Sequence, residues 1–396
     1  MKSTGKRPVS EQRRVLLFVH ASADLYGSDI TLLQLVRALC GRGFEAIVVL
    51  PYDGSLVPRL RNAGAEVVVH TGLPIIRREH MSVRGLLHLV LSLKSLWWLA
   101  DLIRRRDVAL VHGNTLAAAL LGLAAKLSGR PQLWHVHEIV VGPRFVASAL
   151  ATLSSAVSTR IIANSRATAE HYLRTRLAGS TKVEVILNGV EDDYVRDRPG
   201  LPPAKPEDET WQGTVFTLIG RVNRMKGHAV FLDVAERLAA ISESTRFLIA
   251  GDSFAGQEHL SEAVDHRIKS SDVLRDRAIR LPHVPAGEVY AASGVVVVPS
   301  IEPESFGLVA AEAMAAGLPV IASRIGALPE VVEHGVSGFL VPPNDPEALL
   351  AAMKKLEGSP LLRAEMGRRG RELFERRFRS SRYVEEFAKT YEEVIY

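Results

Sequence analysis

Four consecutive valines, Val295–Val298, run into Pro299, a short polar loop and an alanine-rich segment. A continuous apolar run of this kind is typical of a parallel strand that is covered on both faces. Residues 306–316 favour a helix, with Gly317 as its stop signal. The loop is therefore expected at the carboxyl end of a strand, which is where open α/β sheets bind ligands.

Strand-like and helix-like segments alternate along the rest of the chain, a pattern typical of doubly wound parallel sheets. Only residues 191–210, rich in proline and charge, lack apolar periodicity. We therefore predict an α/β protein with domains at 1–195 and 213–375, a linker at 196–212 and a last helix at 376–396. The strands of the first domain are predicted at Val15–His20, Ala46–Pro51, Glu66–His70, Ala109–His112, Gln132–His137, Arg160–Ala163 and Lys182–Ile186.

Two carboxylates mark the loop and the helix that follow the valines. Glu304 lies in the loop, and Glu312 lies in so apolar a helix that its carboxylate would need partners such as ribose hydroxyls. Backbone amides at the helix start would attract a phosphate. An alternative stays open at this point, in which Glu304 is a solvated loop acid and Glu312 an ordinary helical residue.

A second candidate element follows the strand predicted at Thr214–Ile219, where the sequence reads GRVNRMKGH. Arg221 and Lys226 flank this turn, and a helix is predicted to begin near Gly227. Fixed cations beside a helix start would stabilise the negative charge that develops on a diphosphate leaving group. The spacing alone is equally consistent with solvated basic residues in a loop.

These segments resemble the Glu-x7-Glu and Gly-Arg…Lys-Gly motifs of the family 4 glycosyltransferases (glycosyl transferases group 1), which are retaining enzymes of the GT-B fold. Further resemblance lies in FLIAGDS, LPHVPAGEVYAAS and GALPEVVEHGVSGFLVPPND. The resemblance implies two doubly wound Rossmann-like domains facing each other across a cleft, with a C-terminal helix that returns to the first domain. It also implies transfer of a sugar from a UDP- or GDP-sugar to an acceptor hydroxyl in polysaccharide or glycolipid biosynthesis, without a required cofactor or divalent metal.

The resemblance also assigns roles to residues at matching positions. Catalytic roles fall on His137, Glu304, Arg221 and Lys226, with His137 and Glu304 beside the donor sugar. Glu312 is assigned to the ribose. The full set implied to bind the donor is Gly27, Ser28, Arg221, Lys226, His283, Val284, Glu304, Ser305, Phe306, Gly307, Leu308 and Glu312.

One loop departs from the family pattern, because LYGSD stands where the family usually has two adjacent glycines. Gly27 still allows the backbone to approach a phosphate or an acceptor closely. Tyr26 either narrows the site and stacks on an acceptor sugar or covers the edge of the sheet.

Other function classes find little support in the sequence. Neither a dinucleotide-binding glycine pattern nor a Walker-type lysine loop is present. The histidines of WHVHE, His135 and His137, would share one face of a strand and have no third zinc ligand nearby in the sequence. A sugar-nucleotide epimerase or hydrolase on the same fold, and a sugar-nucleotide-binding protein without turnover, remain alternatives.

Charge is distributed unevenly along the chain. Residues 1–200 hold 26 Lys and Arg against 16 Asp and Glu, a net +10, whereas residues 201–396 hold 23 against 28, a net −5. The basic half, which binds the acceptor in GT-B enzymes, is expected to meet a glycan or lipid-linked anionic acceptor and an anionic membrane surface. Nucleic acid is not an expected partner, because no recognised nucleic-acid motif accompanies the charge.

The segment Gly85–Ile103 bears on the membrane hypothesis. Its leucines and tryptophans, flanked by arginines, either dock on a bilayer or cover the sheet, with Trp97 and Trp98 in the core. Cys40 is the single cysteine and cannot form an internal disulfide, so a reducing compartment is expected. We predict a cytoplasmic protein with peripheral association at the inner face of the membrane.

Overall fold

The computed structural model describes residues 14–76, 90–140, 142–192, 213–254, 256–282 and 284–396. The linker predicted at 196–212 and the candidate donor-binding residue His283 lie outside these residues. The chain divides into two compact units, Met1–Leu187 with Ser381–Tyr396, and Asn188–Ser380. The first unit therefore ends at Leu187, before the domain boundary expected at residue 195.

The first unit is built on a parallel sheet. Its described strands are β1 (Arg14–Val19), β2 (Phe44–Leu50), β3 (Glu66–Val69), β4 (Leu110–Asn114), β5 (Gln132–Val136), β6 (Arg160–Ala163) and β7 (Val183–Val185), in the order β3-β2-β1-β4-β5-β6-β7. The helices between them are α1 (Gly27–Cys40), α2 (Leu56–Asn62), α3 (Ser95–Arg105), a 3₁₀ segment (Leu116–Leu121), α4 (Gly122–Leu127), α5 (Arg144–Val157) and α6 (Arg166–Thr175).

Both faces of this sheet are covered, as an apolar parallel sheet requires. On one face Leu17 and Val19 pack in a cluster with α3, and on the other Leu16 and Phe18 pack in a cluster with α1. The last helix, α14 (Ser380–Ile395), joins the second cluster. It buries an apolar stripe of side chains with helical spacing: Tyr383, Val384, Phe387 and Tyr391.

The second unit repeats the architecture with strands β8 (Thr214–Ile219), β9 (Thr245–Ala250), β10 (Ala278–Leu281), β11 (Val295–Val298), β12 (Val320–Ser323) and β13 (Gly338–Val341), in the order β10-β9-β8-β11-β12-β13. All the described pairings in it are parallel. Its helices are α7 (His228–Ala239), α8 (Glu258–Ser270), α9 (Ala286–Ala291), α10 (Leu308–Ala315), α11 (Leu328–Val331), α12 (Pro346–Glu357) and α13 (Pro360–Arg377).

The predicted fold class, α/β with two Rossmann-like domains, is confirmed. The valine run forms β11, and all four valines are buried. The helix expected at 306–316 is shorter, because Gly307 adopts a left-handed conformation (φ 97°) as its N-cap and α10 begins only at Leu308. Phe306 precedes the helix and is buried against the edge of the Phe378 ring.

Candidate active site

An ion pair joins the two loops that the sequence singled out in the second unit. Lys226 Nζ, in the loop between β8 and α7, donates to Glu304 Oε1 at 2.6 Å. Ser300, which follows β11, donates its hydroxyl to the same oxygen at 2.6 Å. Strands β8 and β11 are neighbours in a parallel sheet, so their carboxyl ends bring these loops together.

Two glycines hold the ion pair in place. Gly227 follows Lys226 with φ 71°, and a Cβ there would lie 1.9 Å from the carbonyl oxygen of Pro299. Gly326, with φ 57°, packs against the backbone of Glu304, and a Cβ would lie 2.3 Å from the Glu304 carbonyl oxygen. Only glycine fits such close approaches at positive φ, so the backbone positions both charged residues.

The electrostatics of the pair keep Glu304 ionised. Burial alone would raise the pKa of this carboxyl, because its side chain is only 12% exposed. The Lys226 ammonium, with hydrogen bonds from Lys226 and Ser300, outweighs burial and holds the pKa below its ordinary value. The pair is thus a fixed positive and a fixed negative charge side by side at the end of the sheet.

Arg221, the second cation expected here, also lies at the end of β8. Its guanidinium stacks on the ring of Phe254, with Cζ 3.4 Å from the ring centroid. This contact restrains a side chain that would otherwise be mobile and leaves its charge intact. The structure places Arg221 and Lys226 in one loop, as the sequence predicted, while their roles toward a diphosphate stay predictions.

Glu312 lies on α10, among buried alanines, and is itself half-buried. The buried Tyr290 of α9 donates its hydroxyl to Glu312 Oε2 at 2.7 Å. The expectation that an acid in this apolar helix needs partners is therefore met by a protein group. The ribose contact that the family resemblance implies remains a prediction.

The remaining candidate donor-binding residues that the structure describes in the second unit lie at the start of α10, except Val284. Ser305 and Leu308 are half-buried, and Gly307 is buried. The first amides of any helix lack acceptors within the helix, so the amides at the start of α10 are suited to hold an anion. Val284 is half-buried in the segment between β10 and α9.

His137, the candidate residue of the first unit, ends a buried chain of hydrogen bonds. Its Nε2 lies 2.7 Å from Asn114 Oδ1, and Asn114 Nδ2 lies 2.9 Å from His20 Nδ1. At the other end of this series of hydrogen bonds, Asp29 Oδ1 lies 2.5 Å from His20 Nε2. The three side chains from the sheet follow or end β1, β4 and β5, which are adjacent strands, and Asp29 comes from the first turn of α1.

This series of hydrogen bonds determines which atom carries the proton in each contact. Because the Asp29 carboxylate only accepts, His20 donates from Nε2 and must accept at Nδ1 from the Asn114 amide. The amide oxygen of Asn114 then accepts from His137 Nε2, which leaves the lone pair of His137 on Nδ1. Burial, and then the nearby His20 and His112, lower the pKa of His137 well below its usual value, so its ring is neutral.

Glu138, next to His137, supports the same region of the sheet. Both of its carboxylate oxygens accept from the amide of Leu116, and one also accepts from the His137 amide at 3.1 Å. Burial raises the pKa of this carboxyl. His135 lies beside His137 with ring centroids 3.8 Å apart, and the described residues contain no group of three or more His, Cys, Asp or Glu placed to hold a metal ion.

Gly27 and Ser28 form the first turn of α1, where both are half-buried. The helix start is held by Asp29, whose Oδ2 accepts from the Tyr26 amide at 2.8 Å. Tyr26 itself is 38% exposed. Asp29 therefore links the turn that carries Gly27 and Ser28 to the chain that ends at His137.

Sequence reasoning missed several residues of this arrangement. His20, Asp29 and Asn114 received no role, although each stands at or just after the end of a predicted strand or at the start of the next helix. That position was the available signal, because the carboxyl ends of parallel strands converge. Gly326 was quoted within a matching segment but was not recognised as the contact that positions Glu304.

Two family models match the chain, one over most of the first unit and one over most of the second. Residues 26–194 match the model described as "Glycosyltransferase Family 4", and residues 205–373 match "Glycosyl transferases group 1". The catalytic and donor-binding candidates named above all fall within these ranges.

Curated relatives include D-inositol 3-phosphate glycosyltransferases. The protein of that name from Thermobifida fusca is 34% identical over 233 residues, which cover 54% of this chain and 51% of the relative. This alignment therefore spans about half the length of the relative, as does that with the Streptomyces avermitilis protein, at 47%. The second such enzyme of Catenulispora acidiphila is 27% identical over 405 residues, covering 90% of this chain and 89% of that one.

Solved structures share the fold over nearly the whole chain. Anabaena Alr3699/HepE in complex with UDP and glucose has a TM-score of 0.78 at 22% identity, covering 96% of this chain and all of that one. Sucrose-phosphate synthase from Thermosynechococcus elongatus has a TM-score of 0.75 at 21% identity, covering 96% and 99% of the two chains. Since the motifs, both family models and the fold agree, the chain belongs to the family 4 glycosyltransferases, enzymes of the GT-B fold.

Proposed function

We propose that this protein transfers a sugar from a UDP- or GDP-sugar to an acceptor hydroxyl with retention of anomeric configuration. The observation that carries the proposal is the Lys226–Glu304 ion pair at the carboxyl end of β11, beside Arg221 and the start of α10. Two cations and a helix start are the groups that a departing diphosphate needs. The UDP and glucose named with the Anabaena structure support UDP as the nucleotide.

In this reaction the bond between the anomeric carbon and the diphosphate oxygen breaks, and a bond from that carbon to the acceptor oxygen forms. Lys226 and Arg221 would stabilise the charge on the leaving diphosphate. A departing phosphate oxygen can take the proton of the acceptor hydroxyl, so the step needs no separate base. Glu304, held ionised by Lys226, would lie beside the donor sugar, and Glu312 would bind the ribose.

A donor screen followed by product analysis tests the proposal. Thermal shifts with UDP, GDP, ADP, TDP and their sugars identify the nucleotide, and NMR of the anomeric centre then identifies the product. An α-linked donor is expected to yield an α-linked product. A β-linked product would contradict retention and would make His137 a candidate general base. Sugar isomerised or released to water would instead favour the epimerase or hydrolase, and binding without chemistry would favour a sugar-nucleotide-binding protein.

The acceptor is proposed to be anionic, because the first half of the chain carries a net +10 charge. The relatives' name specifies inositol 3-phosphate, a soluble anion, for those proteins. A polyprenyl-pyrophosphate-linked glycan or a phospholipid would present similar chemistry at a membrane. Both carry phosphate, which a basic surface would attract.

An exposed apolar segment in the first unit favours the membrane-borne form. Just before α3, Val90, Leu91 and Leu93 are 54%, 60% and 37% exposed, and Trp97 is 66% exposed. The interpretation that both tryptophans are core residues is therefore wrong for Trp97, whereas Trp98 stacks on His70 with ring centroids 4.1 Å apart. In the described residues, no helix is both long and apolar enough to traverse a bilayer.

We therefore propose peripheral docking of this segment on an anionic bilayer at the cytoplasmic face. Sedimentation with anionic and neutral liposomes at two salt concentrations tests it, since each basic residue contributes ~1 kcal/mol that salt screens. Trp97→Ser should weaken binding to anionic liposomes, whereas Leu361→Ser, 85% exposed in the second unit, is the matched control. Equal or absent binding to both liposomes would favour a soluble acceptor.

A further inference from the structure

A groove separate from the Lys226–Glu304 pair lies between α7 and α8 in the second unit. It has a cavity volume of about 570 Å³ and is lined by the first turn of α7 and by the facing side of α8. Neither Lys226 nor Glu304 lines it. The proposed sugar transfer assigns no role to this groove.

One buried histidine in the groove points to a ligand. His228, the first residue of α7, is 6% exposed and lines the cavity, yet among the residues that the structure describes neither of its ring nitrogens has a hydrogen-bond partner. Burial and the positive charges of Arg280 and Lys226 lower the pKa of this ring to about 4, so it is neutral at pH 7. A neutral imidazole has one donor and one acceptor, and leaving both unsatisfied in a buried position is unfavourable.

The groove is suited to an anion at one end. Gly227, His228, Ala229 and Val230 all line it, so the first turn of α7 forms part of its wall. The first amides of a helix lack acceptors within the helix and carry the positive end of its dipole. Arg224, exposed in the preceding loop, adds a full positive charge to the same wall.

Most of the remaining surface of the groove is apolar. Leu232 of α7, Leu260 and Val264 of α8, and Ile301 from the loop after β11 line it, together with the polar side chains of Asn223, His266, Arg267 and Asn344. The apolar part is complementary to a hydrocarbon chain. The groove therefore suits a ligand with an anionic group at one end and an apolar chain at the other.

We propose that this groove binds an amphipathic anion, a phosphate or carboxylate group carried on an apolar chain. The anionic group lies at the start of α7, where it accepts from His228 and from Arg224, and the chain lies along Leu260 and Val264. None of the candidate donor-binding residues lines the groove, and the proposal does not require the proposed reaction.

Calorimetry on the full chain with three probes tests the proposal. The probes are n-octyl phosphate, inorganic phosphate and n-octyl glucoside, each below its micelle concentration. We expect saturable binding of octyl phosphate, at least tenfold tighter than either other probe, with a shift of the His228 ring resonances. Equal binding of inorganic phosphate would overturn the apolar part, equal binding of octyl glucoside would overturn the anionic part, and no binding of any probe would overturn the site.

Variants locate the site. Arg224→Ala is expected to weaken octyl phosphate binding about tenfold, as loss of one charge-assisted hydrogen bond does. Arg275→Ala, at an exposed arginine outside the groove, is the matched control and should bind normally. Leu260→Asp, which places a negative charge in the apolar floor, should abolish binding while thermal melting confirms the fold. If Lys226→Ala abolishes binding and Arg224→Ala does not, the probe occupies the diphosphate site and the proposal is wrong.

Discussion

The two units place their candidate functional side chains at the carboxyl ends of parallel strands, but the buried polar groups are stabilised in different ways. In the second unit, Lys226 and Glu304 remain charged and neutralise each other across 2.6 Å. In the first, His137 is neutral, and a chain of hydrogen bonds through Asn114 leads to a buried carboxylate, Asp29. A charged pair is suited to stabilise developing charge, whereas a neutral chain is suited to orient one ring.

The largest expected consequence of this difference is in how the free energy of unfolding depends on pH. Burial lowers the pKa of His112 to about 3 and that of His135 and His137 well below the usual value. These rings take up protons only on unfolding, so stability is lost as pH falls below about 6.5, with a slope approaching 4 kcal/mol per pH unit. Burial raises the pKa of Glu138, so the folded protein binds this proton more readily than the unfolded chain, which offsets part of this loss.

Urea unfolding followed by tryptophan fluorescence measures this slope, because Trp134 is fully buried in the first unit. His137→Gln should reduce the slope by about 1.4 kcal/mol per pH unit. His259→Gln, at an exposed position of α8, is the control. Glu304 behaves differently, since its lowered pKa means that its contribution persists above the ordinary value of 4.5 and declines only below it. Stability that stays constant from pH 6.5 to 5 would contradict the neutral state of the histidines.

The charged pair is expected to control turnover. Lys226→Ala removes the cation and leaves Glu304 buried without it, so turnover should fall about 100-fold or more while the fold persists. Arg221→Ala should act in the same direction. Lys269→Ala, exposed on α8, is the matched control. Normal turnover in both loop variants would mean that the diphosphate site is misplaced.

The neutral chain is expected to contribute to stability and to ring orientation. Asn114→Ala removes the partner of both His20 Nδ1 and His137 Nε2, at a cost of about 2 kcal/mol in the free energy of unfolding. Asn62→Ala, at the exposed end of α2, should change stability by no more than about 0.5 kcal/mol. Nitrogen NMR of the wild type should show His137 protonated at Nε2, and protonation at Nδ1 instead would overturn the assigned chain.

A smaller effect is expected at the partly buried acid of α10. Glu312→Gln should weaken donor binding about tenfold with little change in turnover, because a ribose contact is equally present in ground and transition states. Glu262→Gln, exposed on α8, is the control. Titration with the nucleotide found in the donor screen measures the affinity. An unchanged affinity would mean that Glu312 contacts protein groups such as Tyr290 and not the ribose.

Much of the fold was predictable because it follows from local patterns. The valine run specified β11 as a buried strand, and the observed β1 and β6 agree with the predicted ranges to within one residue at each end. The start of α10 was misplaced by two residues, since only the tertiary structure shows Phe306 packed against Phe378. The exposure of Trp97 could not be predicted from the sequence either, because whether an apolar side chain on a helix is buried depends on which elements pack against that helix.

The sequence by itself determined the alternation of strands and helices, the family motifs, the loops that carry Arg221, Lys226 and Glu304, and the helix that carries Glu312. Apolar periodicity and glycine positions determine local structure over a few residues, so they can be recognised in the sequence without a structure. Only the tertiary structure joined Lys226 to Glu304 and connected His137 through Asn114 and His20 to Asp29. Except for the contact between His20 and Asp29, these contacts link residues that are far apart in the chain, and strand order decides which carboxyl ends become neighbours.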